Sequence, residues 1–306
     1  MAIGLTVAIS GLLTLWGIYG IGQYGIALFI LTPLLLGSGS VILYGLKKGI
    51  TKREAWKIGF FTLGIFTLGL FVFAIEGVIC IVMAAPLGFL LTWLGGVISY
   101  SIVNRTRNNA STTMLTLIAL IPTIAFVEKD SKPTLTSVIT SIEIDADPKA
   151  VWRNVIEFPQ LAKPTEFIFN IGIAYPINAK IIGTGVGAIR RCNFTTGSFI
   201  EPITVWNESK MLKFDVVEQP VPMKELSFWD IDAPHLHDYF ISQKGQFKLR
   251  ALSNGNTLLE GTTWYYHNIK PAFYWQLWSD YIIHKIHHRV LVHIKTNAEN
   301  GEKNYK

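Results

Sequence analysis

Two patterns of hydrophobic and polar positions meet near residue 128. Residues 1–46 contain no Asp, Glu, Lys or Arg, residues 58–104 contain only Glu76, and residues 111–127 again contain none. A hydrocarbon core about 30 Å thick needs roughly 20 apolar residues in a helix. Residues 2–22 and 25–46 each fit one span, 58–104 has room for two, and 111–127 is a shorter fifth candidate containing Pro122. No basic n-region precedes the first apolar run, and a second run follows it directly, so a cleaved signal peptide is a poor reading. The pattern predicts an α-helical multi-pass membrane region over 1–127, in about five helices.

From residue 137 the period changes. SVITSIEIDA (Ser137 to Ala146) alternates as a strand does. Asp147 followed by Pro148 is a helix start, with Val151, Trp152, Val155 and Ile156 on the apolar face and Pro159 as the stop. Strand-like runs follow over 174–183, 185–197, 198–207, 210–219, 238–252 and 256–267, punctuated by Gly183, Gly185, Gly197, Asn207 and Asn254-Gly255. A helix of about 29 residues then opens at Pro271 and ends near Asn300-Gly301, some 43 Å long at 1.5 Å per residue. A meander of antiparallel strands must bury one face, and a long C-terminal helix can cover it. The chain therefore divides into membrane region 1–127, linker 128–136, an α+β domain over 137–300 and a tail, 301–306.

Charge sharpens the division. Of 27 basic and 21 acidic residues, seven and two fall in 1–127, which leaves 20 and 19 for the rest. The excess sits in short connections, chiefly Lys47 to Lys57 and Arg105 with Arg107, where it fixes orientation. That places the N-terminus in the cytoplasm and, with five crossings, the C-terminal domain outside it, in a periplasm where there is one. If 111–127 lies at the surface, that domain is cytoplasmic. With no basic stripe in the second half, nucleic acid is not an expected partner. Two cysteines, Cys80 and Cys192, give neither a zinc pattern nor a convincing disulfide.

The element order resembles the START-like SRPBCC superfamily, the polyketide cyclase/dehydrase and lipid-transport group with the helix-grip fold. SIEIDADPKAVWRNVIEF is similar to its first strand and helix, GVGAIRRCNF (Gly185 to Phe194) to a G-x-x-R strand, and GSFIEPITVWNESKMLKFDVV to the hairpin that follows. The resemblance covers roughly 137–300, and its nearest look is to bacterial members with a membrane-spanning N-terminal part. It implies a hydrophobic cavity between sheet and long helix that holds a lipid or an apolar small molecule, with no shared catalytic set. The expected function is a membrane-anchored binding domain. A cyclase-, dehydratase- or hydrolase-like enzyme and a structural or sensory interaction module are the alternatives. No cofactor or metal is expected.

Candidate site residues follow from placement. On a wheel of about 100° per residue, Ile283, Ile286, Val290 and Ile294 form the gripping face of the last helix. Asp280, His284 and His287 form a ridge beside it, fit either for acid–base work or for hydrogen bonding at the domain edge. A metal at this ridge would lack a completing ligand pattern. Arg190 and Arg191 point to opposite faces of a strand, and an inward arginine needs an acid such as Glu201 or Glu260. In LEGTTWYYH, Glu260 and Trp264 alternate with Tyr265, and either set suits a pocket wall. The loop Val221 to Phe240 is long for a hairpin and could act as a lid, and it carries an isolated His235-x-His237 pair. Glu76 is the lone ionisable residue in its apolar run, a functional residue or an interfacial one at a span's end.

Overall fold

The structure, a computed structural model, describes residues 1–46, 48–105, 107–129 and 131–303. Lys47 of the basic connection and the last three residues of the tail lie outside the described residues. The chain forms two compact units, one of Met1–Lys132 with Glu225–His235 and Asn268–Trp275, the other of Pro133–Lys224, Leu236–His267 and Gln276–Lys306. This differs from a single cut near residue 130. Two segments from the second half of the sequence belong to the first unit, something no composition shift announces.

The first unit holds five helices long and apolar enough to cross a membrane: α1 (Ala2–Ile21), α2 (Ala27–Gly45), α3 (Lys52–Val72), α4 (Val78–Arg105) and α5 (Arg107–Glu128). The reading of Lys47 to Lys57 as a loop is revised here, because Thr51 and Glu54 form a capping box that starts α3 at Lys52. Half of the segment expected as a loop is therefore helix. In α1 the usual pattern is inverted. Thr6, Ser10 and Thr14 form the buried stripe, while Leu5, Leu12 and Leu15 face outward. Small side chains let helices approach closely when apolar outer surfaces gain nothing from packing inward. At the α2–α4 crossing the approach leaves no room for side chains, since a Cβ on Gly37 would fall 2.1 Å from the Thr92 carbonyl oxygen and one on Gly95 2.5 Å from that of Leu34. Pro122 lies within α5 without ending it.

The second unit is a seven-stranded antiparallel sheet in the order β1-β7-β6-β5-β4-β3-β2. Its strands are β1 (Thr136–Ile144), β2 (Pro176–Ile182), β3 (Ile189–Phe194), β4 (Gly197–Asn207), β5 (Met211–Asp215), β6 (Phe240–Ala251) and β7 (Thr257–His267). Between β1 and β2 come α6 (Pro148–Ile156) and the single turn α7 (Phe167–Asn170), and α8 (Ala272–Lys303) closes the chain. Asp147 caps α6 by accepting from Lys149 and Ala150 N–H, at 2.7 and 2.8 Å.

The core joins sheet to helix. Val151, Trp152 and Val155 of α6, Ile203, Leu212, Leu249 and Leu259 of the strands, and Val290, Leu291, Ile294 and Ala298 of α8 form one buried cluster. The gripping face of α8 is thus rotated from the expected one. Leu291 is buried and Ile286 only half so, because the stripe follows Ile283, His287, Val290, Leu291, Ile294 and Ala298. A smaller cluster of Val138, Tyr265 and Ile283, with Phe240 against it, lies toward the N-terminal part of α8.

Candidate functional site

Strand alternation decides which of the expected site residues share a face. Leu249 pairs with Leu259 and Leu212 with Phe247 in register, all in or against the core, so Gly261, Thr263 and Tyr265 also face α8. Glu260 and Trp264 fall on the opposite face. There Trp264 lies under the ammonium groups of Lys213 and Lys244, 5.3 and 5.4 Å from the ring centre. The pocket wall read from LEGTTWYYH accordingly splits in two, and Tyr265 alone of its expected members points inward with Arg190 and His287.

Arg190 stands opposite Glu201 across β3 and β4, and the two form a buried ion pair through Arg190 Nη1 and Glu201 Oε2. Arg190 Nε also donates to the Ile156 carbonyl at 3.3 Å. The guanidinium lies 5.4 to 5.6 Å from the ring centres of Phe158, Phe214 and Phe247. Of the two acids open to Arg190, register selects Glu201 and leaves Glu260 on the other face. The arginine's charge is met inside the core by a carboxylate, a carbonyl and three aromatic faces.

The Asp280, His284 and His287 ridge meets the inner face of β1 and β7. Thr140 Oγ1 is 2.7 Å from His284 Nδ1 and 3.1 Å from His287 Nδ1, while Thr263 Oγ1 is 2.7 Å from His287 Nε2. The Tyr265 hydroxyl donates to Asp280 Oδ1 at 2.6 Å. Burial, followed by the His284 imidazole, lowers the His287 pKa from 6.5 to about 4. A neutral imidazole has one donor and one acceptor nitrogen, and hydroxyls on either side can complement both. Asp280 therefore partners Tyr265 and not a histidine, and the ridge is a row of hydrogen bonds between α8 and the sheet. Nothing in the sequence marked Thr140 or Thr263, because threonine is ordinary in strands.

An open depression of about 850 Å³ lies at another part of this unit, lined by residues including Asp147, Lys149, Lys210, Met211, Lys248 and Arg250. None of the expected site residues lines it.

Glu76 lies in the first unit, in the connection between α3 and α4, and is 8% exposed. Its Oε2 is 3.6 Å from His235 Nδ1. Burial pushes the Glu76 carboxyl from 4.5 up to about 8. Of the His235-x-His237 pair, His235 is buried and His237 is exposed, so the two do not act as one chelate.

A sheet meander closed by a long C-terminal helix matches the helix-grip fold, and the five helices before it are long and apolar enough to cross a membrane. Among solved structures, the chain is similar to a Nitrosospira multiformis protein at 16% identity, over 55% of this chain and 99% of that one, with a TM-score of 0.36. It is also similar to a point mutant of norcoclaurine synthase from Thalictrum flavum (11% identity, 56% and 99% covered, TM-score 0.35) and to a Streptomyces aromatase/cyclase (11%, 54% and 94%, 0.35). No protein-family model matches the chain, and no curated protein matches it.

Proposed function

We propose that this chain is a multi-pass protein of the cytoplasmic membrane whose helix-grip domain binds a lipid or another hydrophobic small molecule. The observation that carries this reading is the composition of the helical unit. The β5–β6 and β7–α8 connections, as Glu225–His235 and Asn268–Trp275, are built into it, so the domain is tied to the apolar helices at several points along the chain. A tether alone would need only one linker.

The apolar ligand is assigned to the end of the grip marked by Phe240, Tyr265 and Ile283, where the buried cluster is smaller than the one around Trp152 and Leu291. The orientation proposed is N-terminus inside and the C-terminal domain outside. Two observations support it. Asn104 at the end of α4 donates to the Ile50 carbonyl, which gathers the basic α2–α3 connection and the end of α4 at one end of the helical unit. The Ile26 N–H donates to Glu128 Oε2 at 2.9 Å, which brings the α1–α2 connection to the end of α5.

Native mass spectrometry of the full chain in detergent, before and after incubation with a membrane lipid extract, tests the reading. An apolar molecule retained by the wild type and lost in Ile283→Trp supports it. A wild type that carries and takes up nothing overturns it. A C-terminal reporter fusion active only in the cytoplasm overturns the orientation alone.

A second reading has its own observation. The interior next to β3 and β4 is occupied by Arg190, Glu201 and three phenylalanines, which suits a sensory or protein-interaction module. The enzyme reading with Asp280, His284, His287 and Arg190 draws on no comparable observation.

A further inference from the structure

Four polar side chains of the helical unit converge on one point. Glu76 comes from the α3–α4 connection, Cys80 from the first turn of α4, and Glu225 and His235 from the two ends of the segment that joins this unit between β5 and β6. Cys80 Sγ is 3.0 Å from His235 Nε2, and Glu225 Oε1 is 3.9 Å from the same nitrogen. Glu76 Oε2 lies 3.6 Å from Nδ1. Single donor atoms from Glu76, Cys80 and His235 all lie within 4.8 Å of one another. Glu76, Glu225 and His235 are 8%, 7% and 5% exposed.

Three features separate this cluster from an ordinary buried hydrogen-bond network. First, both oxygens of Glu76 and Oε1 of Glu225 are buried, and among the described residues the side-chain donors facing them, besides His235, are only the Tyr24 hydroxyl beside Glu76 and the Cys80 thiol beside Glu225. Such atoms are costly unless a cation or donor meets them. Second, among the described residues His235 is the one cationic side chain at ion-pair distance from either carboxylate, so two acids and a thiol share one imidazole. Third, the backbone is shaped around the acids. A Cβ on Gly77 would fall 2.1 Å from Glu225 Oε2, and that oxygen accepts from the Ile79 N–H at 3.2 Å. The Tyr24 ring meets the His235 ring edge-on, with centres 5.0 Å apart.

The geometry points to a binding site for one divalent cation of the zinc class, with Cys80 and His235 as sulfur and nitrogen ligands and carboxylate oxygens supplied by Glu76 and Glu225. Thiolate with imidazole selects a borderline-soft transition metal over magnesium or calcium, which favour all-oxygen sets. Ligand atoms sharing one tetrahedral zinc lie about 3.3 to 3.6 Å apart, so the Glu76, Cys80 and His235 donors, all within 4.8 Å of one another, need to close by at most about 1.5 Å. The ion would clip the Glu225–His235 segment to the α3–α4 connection. Sequence gave only fragments of this set: Glu76 as an isolated acid, His235 in an isolated pair, and Cys80 four residues after Glu76. Glu225 carried no mark at all. The site stands apart from the ligand-binding reading and survives its failure.

The test uses the full chain, purified in detergent without a polyhistidine tag. Elemental analysis is expected to find ~1 zinc per chain, either as isolated or after zinc loading and desalting. Cys80→Ser and His235→Ala are expected to lose it, and Glu76→Gln to weaken zinc affinity about 10- to 100-fold. Zinc-free chains that take up no zinc overturn the site, as does full zinc retention in both Cys80→Ser and His235→Ala. Should those variants fail to fold, Cys192→Ser decides, because Cys80 is then the sole cysteine. With cobalt loaded, a thiolate-to-cobalt charge-transfer band in that variant supports the site, and its absence overturns it.

Discussion

Two inward-facing histidines on the same chain, His235 buried and His287 half-buried, sit in opposite surroundings. His287 lies between the hydroxyls of Thr140 and Thr263, and His235 lies between the carboxylates of Glu76 and Glu225 with the Cys80 thiol beside it. The same division extends to the neighbouring groups. In the sheet unit Arg190 has Glu201 and Tyr265 has Asp280, so these polar groups are met within the unit. In the helical unit the carboxylates outnumber what His235 can answer. The first arrangement holds a helix on a sheet. The second asks for something from outside the protein.

The largest effect expected in the sheet unit comes from breaking its buried pair. Arg190→Met leaves Glu201 buried without its cation and should cost about 3 to 5 kcal/mol. Arg190→Met with Glu201→Leu should recover most of that loss, read by thermal unfolding of the full chain in detergent. A double variant as unstable as the single one would show that the pair does more than neutralise itself.

Next is the pH response of His287. Its folded pKa of about 4 lies below its ordinary 6.5, so between those values the unfolded chain binds the extra proton. Its contribution is complete above about pH 6.5 and declines as the pH falls through about 4, by on the order of 3 kcal/mol. His287→Asn should flatten stability over that window, and an unchanged slope would contradict the neutral, threonine-held imidazole. A smaller effect is expected from Tyr265→Phe, which removes the hydroxyl bonded to Asp280 at a cost of about 1 kcal/mol. The corresponding removal in the helical unit, Tyr24→Phe, takes away the hydroxyl facing Glu76 and should leave the sheet transition in place and act on zinc affinity. An effect confined to the sheet transition would break the contrast between the two units.

Sequence showed the two units unevenly. Long apolar helices and strands were legible because uncharged runs and period-two alternation are local signals, and α6 was legible because Asp147 and Pro148 mark its start. The start of α3 was misplaced because lysine and arginine in its first turns mask a capping box at Thr51 and Glu54. Inward and outward sets on β7 could not be told apart, since both Tyr265 and Trp264 are large and aromatic. Only pairing register separates them. The site around His235 was hidden for a different reason: its four donors span residues 76 to 235, and closeness across that separation is a property of the fold. Glu76 stood out from its apolar run, but its partners did not.

The contrast between the two histidines is tested most directly by the effect of a zinc chelator on thermal unfolding of the full chain, compared among wild type, His287→Asn and His235→Ala. The account predicts that the chelator lowers the apparent Tm of wild type and of His287→Asn by a similar amount and leaves His235→Ala unmoved. A chelator that shifts none of the three, or shifts His235→Ala as far as the others, would contradict it.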